Sequence, residues 1–183
     1  QGVELDNEGF YKLVDENKRV PKTSQPTPHQ FVEFYRKIAQ KGDTILSIHI
    51  TAKLSGTYTS AIAAAEELKD EFKVIPIDSA CGSIGIGLMC REARKLERAA
   101  KSVDEIVKYL EDIKYKVRVI LTLDTLEYAN MSGRVKTLQA ALASILNVKP
   151  IAVLRQGDLS MTERVRTRKA SLDRVIEIAK EEF

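Results

Sequence analysis

The chain has 183 residues, of which 44% are hydrophobic and 30% are charged, and its formal net charge at pH 7 is +3. That length can bury a substantial core, and the composition is typical of an ordinary globular protein. The 29 basic residues are interspersed with 26 acidic ones. The sequence therefore contains no basic block that would indicate binding to nucleic acid or to an anionic membrane.

The cysteines and the hydropathy of the chain favour a cytoplasmic location. Cys81 and Cys90 belong to no C-x-x-C pair and have no histidine near them in sequence. Neither a disulfide nor a metal site is therefore supported, and a reducing compartment is expected. No apolar run approaches the roughly 18 residues that a membrane span needs.

Up to residue 123 the chain alternates predicted helices with apolar runs. Helical spacing and capping signals predict helices at about residues 8–17, 28–42, 57–69, 79–100 and from 102 onward. Apolar runs typical of buried strands lie at residues 44–50, 73–78 and 117–123. Strands that alternate with helices in this way indicate a parallel sheet with helices on both faces.

The pattern changes at Asp124. The next stretch predicts two short helices broken at Ser132-Gly133. Residues 148–167 predict an antiparallel hairpin with a turn at 156–158. A final helix at 168–182 follows, and its inward residues are expected to be Leu172, Val175, Ile176 and Ala179.

These two patterns predict an α/β protein with two domains. Residues 1–124 are expected to form a three-layer parallel-sheet domain, and residues 125–183 to begin a second α+β domain. A hairpin and one helix cannot bury a core of their own. The second part therefore packs against the first or opens a domain that this chain does not finish.

Ligands of open parallel sheets bind where strands end and strand–helix turns begin, and two such turns stand out. In the first, Ser55 and Gly56 precede a predicted helix, whose free N–H groups and dipole favour a carboxylate or a phosphate. Ser55 is equally suited to cap that helix alone. In the second, Gly82, Gly85 and Gly87 either cradle a phosphate or let the helix lie close to the sheet. Their order is not G-x-G-x-x-G and no Walker lysine follows, which favours close packing.

The sequence predicts no catalytic residue. His49 lies within a predicted strand and His29 in the first turn of a helix, and no Ser–His–acid order or G-x-S-x-G is present. Basic stretches at 130–137 and 163–170 are most simply a solvated face. Alternatively, Arg134 is suited to contact an anion, and the second stretch is suited to an acidic partner.

Six stretches together resemble the DegV family of bacterial fatty-acid-binding proteins, and their order and spacing match over nearly the whole chain. They read VPKTSQPTP, LSIHITAKLSGTY, VIPIDSACGSIGIG, LDTLEYANMSGRV, NVKPIAVLRQGDL and ERVRTRKA. The resemblance implies a two-domain α/β protein without a cofactor that binds one long-chain fatty acid. The carboxylate would lie near the domain junction and the acyl chain in an apolar tunnel. A separate fatty acid kinase would phosphorylate the presented carboxyl group to an acyl phosphate for phospholipid synthesis, so the protein itself is no enzyme.

The resemblance also implies which residues hold the carboxylate. The family's carboxylate-binding hydroxyls fall on Thr23 of KTSQP and Ser55 of LSGTY. Ser24 and Gly56 lie beside them and are expected to support the site. The helix terminus at Ser55 and Gly56 adds favourable electrostatics.

Two arginines and the chain ends complete the resemblance. Arg134 matches the arginine of a G-G-R segment near the family's site, with Ser132 in place of the usual glycine. Arg166 matches a basic residue on the face that meets the kinase. The family begins with a strand and an Asp-Ser-Thr-type turn and ends with further strands that carry a site histidine. The sequence is therefore interpreted as an internal fragment that is truncated at both ends.

Two other functions remain open on the residues alone. One is an enzyme or binding protein for a small phosphorylated or nucleotide ligand, held at the glycine-rich turn 82–87. The other is a transcription factor that uses the basic helix start near Arg166, which a net charge of +3 supports poorly.

Overall fold

The computed structural model of the protein describes residues 5–17, 21–125 and 148–182. Its helices are α1 (Asn7–Asn17), α2 (Pro28–Ile38), α3 (Thr57–Glu67), α4 (Ile84–Arg98), α5 (Val103–Ile113) and α6 (Arg168–Glu182). Its strands are β1 (Thr44–His49), β2 (Lys73–Asp78), β3 (Arg118–Thr122), β4 (Lys149–Arg155) and β5 (Asp158–Val165). The helices and strands predicted within these ranges all form, whereas the two short helices predicted around Ser132-Gly133 lie outside the described residues. Within the described ranges, no helix is both long and apolar enough to cross a lipid bilayer.

The first sheet pairs β1 and β2 in parallel, as predicted. His49 lies opposite Asp78, and successive side chains of each strand point to opposite faces of the sheet. Helices α2 and α3 cover one face, with a buried core of Val32, Tyr35, Ala64, Leu68 and Phe72. Helices α4 and α5 cover the other face, with a buried core of Ile77, Met89, Ala93, Ile106 and Leu110. The sheet is therefore the middle layer of three.

The third predicted strand forms but does not join this sheet, so the parallel pairing expected for it was wrong. β3 pairs antiparallel with β4, where Val119 lies opposite Leu154, and β4 pairs antiparallel with β5. The physical reason is that an apolar β-branched run indicates burial and carries no signal for the strand's partner. The pairing of β3 with β4 joins the two sides of the boundary predicted at residue 124, and that boundary stays a prediction.

Helix α6 covers the second sheet with a face that matches the predicted one only in part. Val175 and Ala179, both predicted to point inward, are half-buried. Ile178 is buried, whereas Leu172 and Ile176, both predicted to point inward, are 46% and 54% exposed. Arg174 favours this rotation because its guanidinium donates to both carboxylate oxygens of Glu163 on β5, at 2.8 and 2.9 Å. Such a bidentate pair has a fixed geometry, which apolar spacing alone does not reveal.

A third core cluster joins the two sheets. Cys81 of the turn after β2, Val119 of β3 and Leu154 of β4 are buried together, and Leu54 and Leu159 pack against them. Ligands of open parallel sheets bind at the carboxyl ends of the strands. In this protein those ends lie next to the β4–β5 hairpin.

Candidate functional site

Ser55 lies in the turn that leads from β1 into α3. Its N–H donates to the Thr51 carbonyl at 3.2 Å. Its hydroxyl accepts from the Thr57 N–H at 3.3 Å and shares a 2.7 Å hydrogen bond with the Thr57 hydroxyl. The bond from the Thr57 N–H satisfies a backbone donor in the first turn of α3. Ser55 therefore takes part in capping the helix that follows it.

One hydroxyl hydrogen of the Ser55–Thr57 pair remains available for a hydrogen bond to another group. Each hydroxyl has one donor hydrogen and two acceptor lone pairs. The bond between the two oxygens uses one hydrogen, so the other can be donated outside the pair. Neither side chain is fully buried. The pair is therefore suited to an acceptor such as a carboxylate.

The segment 21–27, which lies outside any helix or strand, contacts this turn through Gln25. A Cβ atom added to Gly56 would lie 2.8 Å from the Nε2 atom of Gln25, so glycine alone fits without displacing that side chain. Thr23 and Ser24, which precede Gln25, are exposed. The structure therefore brings together the two stretches, KTSQP and LSGTY, in which site residues were predicted.

Thr27 and Pro28 end this segment by starting α2, at the position where the capping signals predicted a helix to begin. The Thr27 hydroxyl accepts from the Gln30 N–H at 3.2 Å, and the Gln30 side chain accepts from the Thr27 N–H at 2.8 Å, which completes a capping box. Pro28 lies in the first turn, where a missing N–H leaves no broken hydrogen bond. Thr27 therefore has a structural role as the N-cap of α2, and Thr23 and Ser24 are the residues of this segment that were predicted at the ligand site.

A groove of about 420 Å³ opens beside the same segment. Its lining residues are Ser24, Gln25, Pro26, Gln30, Phe31 and Phe34. Phe34 is 54% exposed, so a large part of its apolar ring faces solvent. The groove therefore combines polar groups of the segment 21–27 with two aromatic rings of α2.

A buried polar chain lies behind Phe31. The Tyr35 hydroxyl is 2.6 Å from Ser47 Oγ, which is 2.7 Å from His49 Nε2. The Phe31 and His49 rings meet edge to face, with 5.2 Å between their centroids. Burial lowers the pKa of His49, and the Asp78 carboxylate opposes this only in part. His49 is therefore neutral at physiological pH, and it places no positive charge behind the groove.

Close contacts account for the glycine-rich turn after β2. A Cβ atom on Gly85 would collide with the Cys81 sulfur, and one on Gly82 would lie 3.3 Å from the Leu154 side chain. Gly87, in contrast, faces open space. Burial raises the pKa of the Cys81 thiol, which keeps the sulfur protonated and weakly nucleophilic. These contacts support helix–sheet packing rather than a phosphate cradle.

The two predicted arginines differ in what the structure describes. Arg166 is exposed directly after β5. Arg134 lies outside the described residues. Among the side chains that the structure does describe, no group of three or more His, Cys, Asp or Glu residues could hold a metal ion.

Sequence reasoning missed the contact of Gln25 and the chain from Tyr35 to His49. Gln25 lies inside KTSQP, but the prediction rested on hydroxyl groups and gave the amide no role. Ser47 and His49 occupy alternate positions of an apolar run. Two polar residues on one face of a buried strand require partners, and that was the available signal.

Comparison with known proteins decides the family. A family model described as an uncharacterised protein of the DegV family matches residues 1–183. The chain belongs to the DegV family. Protein DegV of Bacillus subtilis is 34% identical to it over 181 residues, which are 98% of this chain and 64% of the relative. This DegV chain therefore spans less than two thirds of that relative's length.

Solved DegV structures share its fold. A structure described as fatty acid binding of a DegV family protein from Thermus thermophilus has a TM-score of 0.81 and 31% identity, and the match covers 94% of this chain and 61% of that one. A DegV family protein from Ruminococcus gnavus, determined with vaccenic acid, has a TM-score of 0.86 and 26% identity, with 98% and 64% covered. The resemblance and the α/β fold class predicted from the sequence are confirmed.

Proposed function

We propose that this chain supplies part of a site for one long-chain fatty acid and performs no chemistry of its own. The contact of Gln25 with Gly56 carries the proposal, because it brings the KTSQP segment to the turn of Ser55. Thr23 and Ser55 donate hydrogen bonds to the carboxylate, and Ser24 and Gly56 lie beside them. The related proteins from T. thermophilus and R. gnavus support the ligand class.

The donors near Ser55 suit a carboxylate. Burying a carboxylate without hydrogen bonds is strongly unfavourable. Hydroxyls and helix-terminal N–H groups satisfy it without a buried cation. The hydrogen left over by Ser55 and Thr57 and the first turn of α3 meet this requirement. A neutral His49 is consistent with recognition by hydrogen bonds rather than by an ion pair.

The acyl chain begins in the groove beside Phe31 and Phe34. Each Å² of apolar surface removed from water contributes about 25 cal/mol. A tail that covers the exposed ring of Phe34 therefore gains affinity from it. From the family resemblance we extend this proposal to an apolar tunnel, to Arg134 near the carboxylate, and to a junction between the domains 1–124 and 125–183.

The proposal also gives the protein a partner in the cytoplasm, a separate fatty acid kinase. The kinase phosphorylates the carboxyl group of the presented acid and supplies acyl phosphate for phospholipid synthesis. Arg166 belongs to the docking surface. Its exposure directly after β5, next to the basic first turn of α6 with Arg168 and Lys169, supports this role.

Lipid analysis and alanine variants of the full-length protein test the site. Mass spectrometry of the extracted lipid is expected to find about one acyl chain per molecule, as an enclosed small-molecule site holds. After delipidation, Thr23→Ala and Ser55→Ala are each expected to raise the Kd for palmitic or oleic acid on the order of tenfold, because each removes a hydrogen bond to a charged group. The free energy of unfolding is expected to stay unchanged for Thr23→Ala. For Ser55→Ala it is expected to fall by up to about 1 kcal/mol, because this hydroxyl also accepts from the Thr57 N–H.

Two cap variants are matched controls for these substitutions. Thr27→Ala and Ser102→Ala make the same chemical changes at the capping boxes of α2 and α5. Each is expected to lower the free energy of unfolding by about 1 kcal/mol and to leave the Kd unchanged. A delipidated protein that binds neither acid would overturn the proposal, and equal Kd values for all four variants would remove Thr23 and Ser55 from the site.

The rival function, a phosphorylated or nucleotide ligand at the turn 82–87, has lost its main support because packing contacts surround Gly82 and Gly85. Thermal unfolding separates the two functions. Palmitic acid is expected to raise the melting temperature and ATP to leave it unchanged, since only a ligand of the folded state stabilises it. The reverse result would favour the rival.

A further inference from the structure

The tip of the β4–β5 hairpin is seated on the strand–helix turns of the first sheet. The Gly157 N–H donates to the Ala80 carbonyl at 2.7 Å. The Lys53 ammonium donates to the Asp158 carboxylate at 2.6 Å and to the Gln156 carbonyl at 3.2 Å. The hairpin thus contacts both the turn after β1 and the turn after β2.

Gly157 is required by its backbone conformation and by its surroundings. Its φ is +81°, a left-handed value that residues with a side chain rarely adopt. A Cβ atom added there would lie 2.7 Å from the Thr51 hydroxyl oxygen and 3.2 Å from the Lys53 side chain. Thr51 is only 1% exposed, so it has little room to move away. The backbone of the hairpin tip therefore lies directly against the turn after β1.

Leu54 adds an apolar contact between the same two elements. It packs against the buried cluster that includes Leu154 of β4. Three of the residues that lead into Ser55, namely Thr51, Lys53 and Leu54, are therefore held from the hairpin side. Ser55 follows directly, and its N–H is bonded to the Thr51 carbonyl.

We propose that the β4–β5 hairpin positions Ser55 for the carboxylate, with Gly157 and Lys53 as positioning residues, an inference that rests on the proposed fatty-acid site. The backbone of residues 51–55 is fixed by a steric contact, an ion pair and an apolar contact. A displaced hairpin tip therefore moves the Ser55 hydroxyl relative to the KTSQP segment while β1 and α3 stay folded. Residues of the second sheet that do not touch the acid thus help to set its affinity.

Two glycines with left-handed backbone angles allow a matched test in the full-length, delipidated protein. Gly157→Ala strains the backbone and pushes on Thr51. Gly42→Ala also strains a left-handed φ, of +94°, but the added Cβ meets nothing within 4 Å. We expect Gly157→Ala to raise the Kd for palmitic acid on the order of tenfold. Gly42→Ala is expected to leave it within about twofold of the wild-type value.

The ion pair of Lys53 with Asp158 provides a second test of the positioning role, which does not depend on whether Gly157→Ala folds. Lys53→Asp and Asp158→Lys are each expected to raise the Kd about two- to fivefold, the range open to an exposed ion pair. The double exchange is expected to restore part of the loss. Lys69→Asp breaks an exposed pair with Glu66, at 2.5 Å, and serves as the control that leaves the Kd unchanged.

A double-mutant cycle separates positioning from general damage. If Gly157 acts through Ser55, Gly157→Ala adds little to the effect of Ser55→Ala, whereas independent effects would add. A wild-type protein that binds no fatty acid refutes the proposed function itself. Wild-type binding with variants no weaker than their controls, or full additivity in the cycle, overturns the positioning role alone.

Discussion

Ser47 and His49 lie on one face of β1 and are joined through their side chains, with the Ser47 Oγ atom 2.7 Å from His49 Nε2. The Tyr35 hydroxyl lies 2.6 Å from the same serine oxygen. The tautomer of His49 decides whether its Nε2 atom donates or accepts, and either oxygen of the Tyr35–Ser47 pair can be the donor, so the Ser47 hydroxyl can bond to both neighbours at once. One serine thus links α2 to the end of the strand that leads into the proposed site.

The buried imidazole predicts a stability that depends on pH. Burial holds the pKa of His49 below its usual value, so the unfolded chain binds more protons in the interval between the two pKa values. The stabilisation is complete above the unfolded pKa of about 6.5 and is lost as the pH falls through the folded pKa. Wild-type protein is therefore expected to lose more unfolding free energy than His49→Gln between about pH 7.5 and about pH 5.5.

Urea unfolding at several pH values measures this difference, whose slope cannot exceed about 1.4 kcal/mol per pH unit for one group. His29 is the other histidine of the chain and is exposed in the first turn of α2. His29→Gln is therefore the control for removing a histidine from an exposed position. Parallel curves for wild type and His49→Gln would show that this histidine does not couple to folding.

Ser47→Ala is expected to destabilise the fold more than Tyr35→Phe. The first change leaves a buried phenol and a buried imidazole without their shared partner, at roughly 1–3 kcal/mol. The second removes the phenol and leaves the bond between Ser47 and His49, at roughly 1 kcal/mol. The double variant contains no phenol that lacks a hydrogen-bond partner, so its loss of unfolding free energy is expected to be smaller than the sum of the two single losses. Strict additivity in denaturant unfolding would contradict the shared role of Ser47.

The order of the fold's elements could be predicted from sequence because each carries a local signal. Thr27 with Pro28 starts a helix through backbone groups a few residues away, and the apolar runs of β1 and β2 indicate burial whatever lies next to them. The partner of β3 could not be predicted, since pairing with β4 is decided by residues far along the chain. The buried face of α6 was predicted wrongly in part for the same reason, because the rotation of this helix depends on the contact of Arg174 with Glu163 of β5.

The candidate site was predictable only in part. Thr23 and Ser55 were identified as candidates through the resemblance to the DegV family, whereas hydroxyl chemistry alone left capping and ligand binding equally open for Ser55. The contact of Gln25 with Gly56 depends on how the segment 21–27 lies on a distant turn, and hydrophobic periodicity carries no signal for such a contact. The sequence places Gly157 in a turn, but its approach to Thr51 depends on contact with a turn about a hundred residues earlier in the chain.

Two glycines of the turn 82–87 are expected to respond to alanine in opposite directions. Gly85→Ala forces a methyl group against the Cys81 sulfur, and overpacking of this kind costs about 2 kcal/mol. Gly87→Ala adds a methyl group in open space within α4 and is expected to stabilise the protein by about 0.5–1 kcal/mol. Thermal or denaturant unfolding measures both. Equal effects of the two changes on the free energy of unfolding would mean that contact with Cys81 is not the reason why position 85 requires glycine.

From the proposed docking role of Arg166, Arg166→Glu is expected to slow phosphorylation of the bound fatty acid by the kinase without changing the affinity of the protein for that acid. The residue is exposed beyond β5, so a reversed charge leaves the groove intact but repels an acidic partner surface. Acyl phosphate formation by a fatty acid kinase, at limiting protein, is expected to fall on the order of tenfold, as mutation of a docking charge permits. The Kd for palmitic acid is expected to stay at the wild-type value.

Arg98→Glu is the matched control for this docking role, since it makes the same change in net charge at an exposed arginine at the end of α4. It is expected to leave acyl phosphate formation within about twofold of wild type, as a surface substitution away from an interface does. Equal losses for the two variants would trace the effect to net charge rather than to a docking surface. A docking residue does not change the affinity of the free protein for the fatty acid. A raised Kd for Arg166→Glu would therefore show that this arginine affects the fatty-acid site itself.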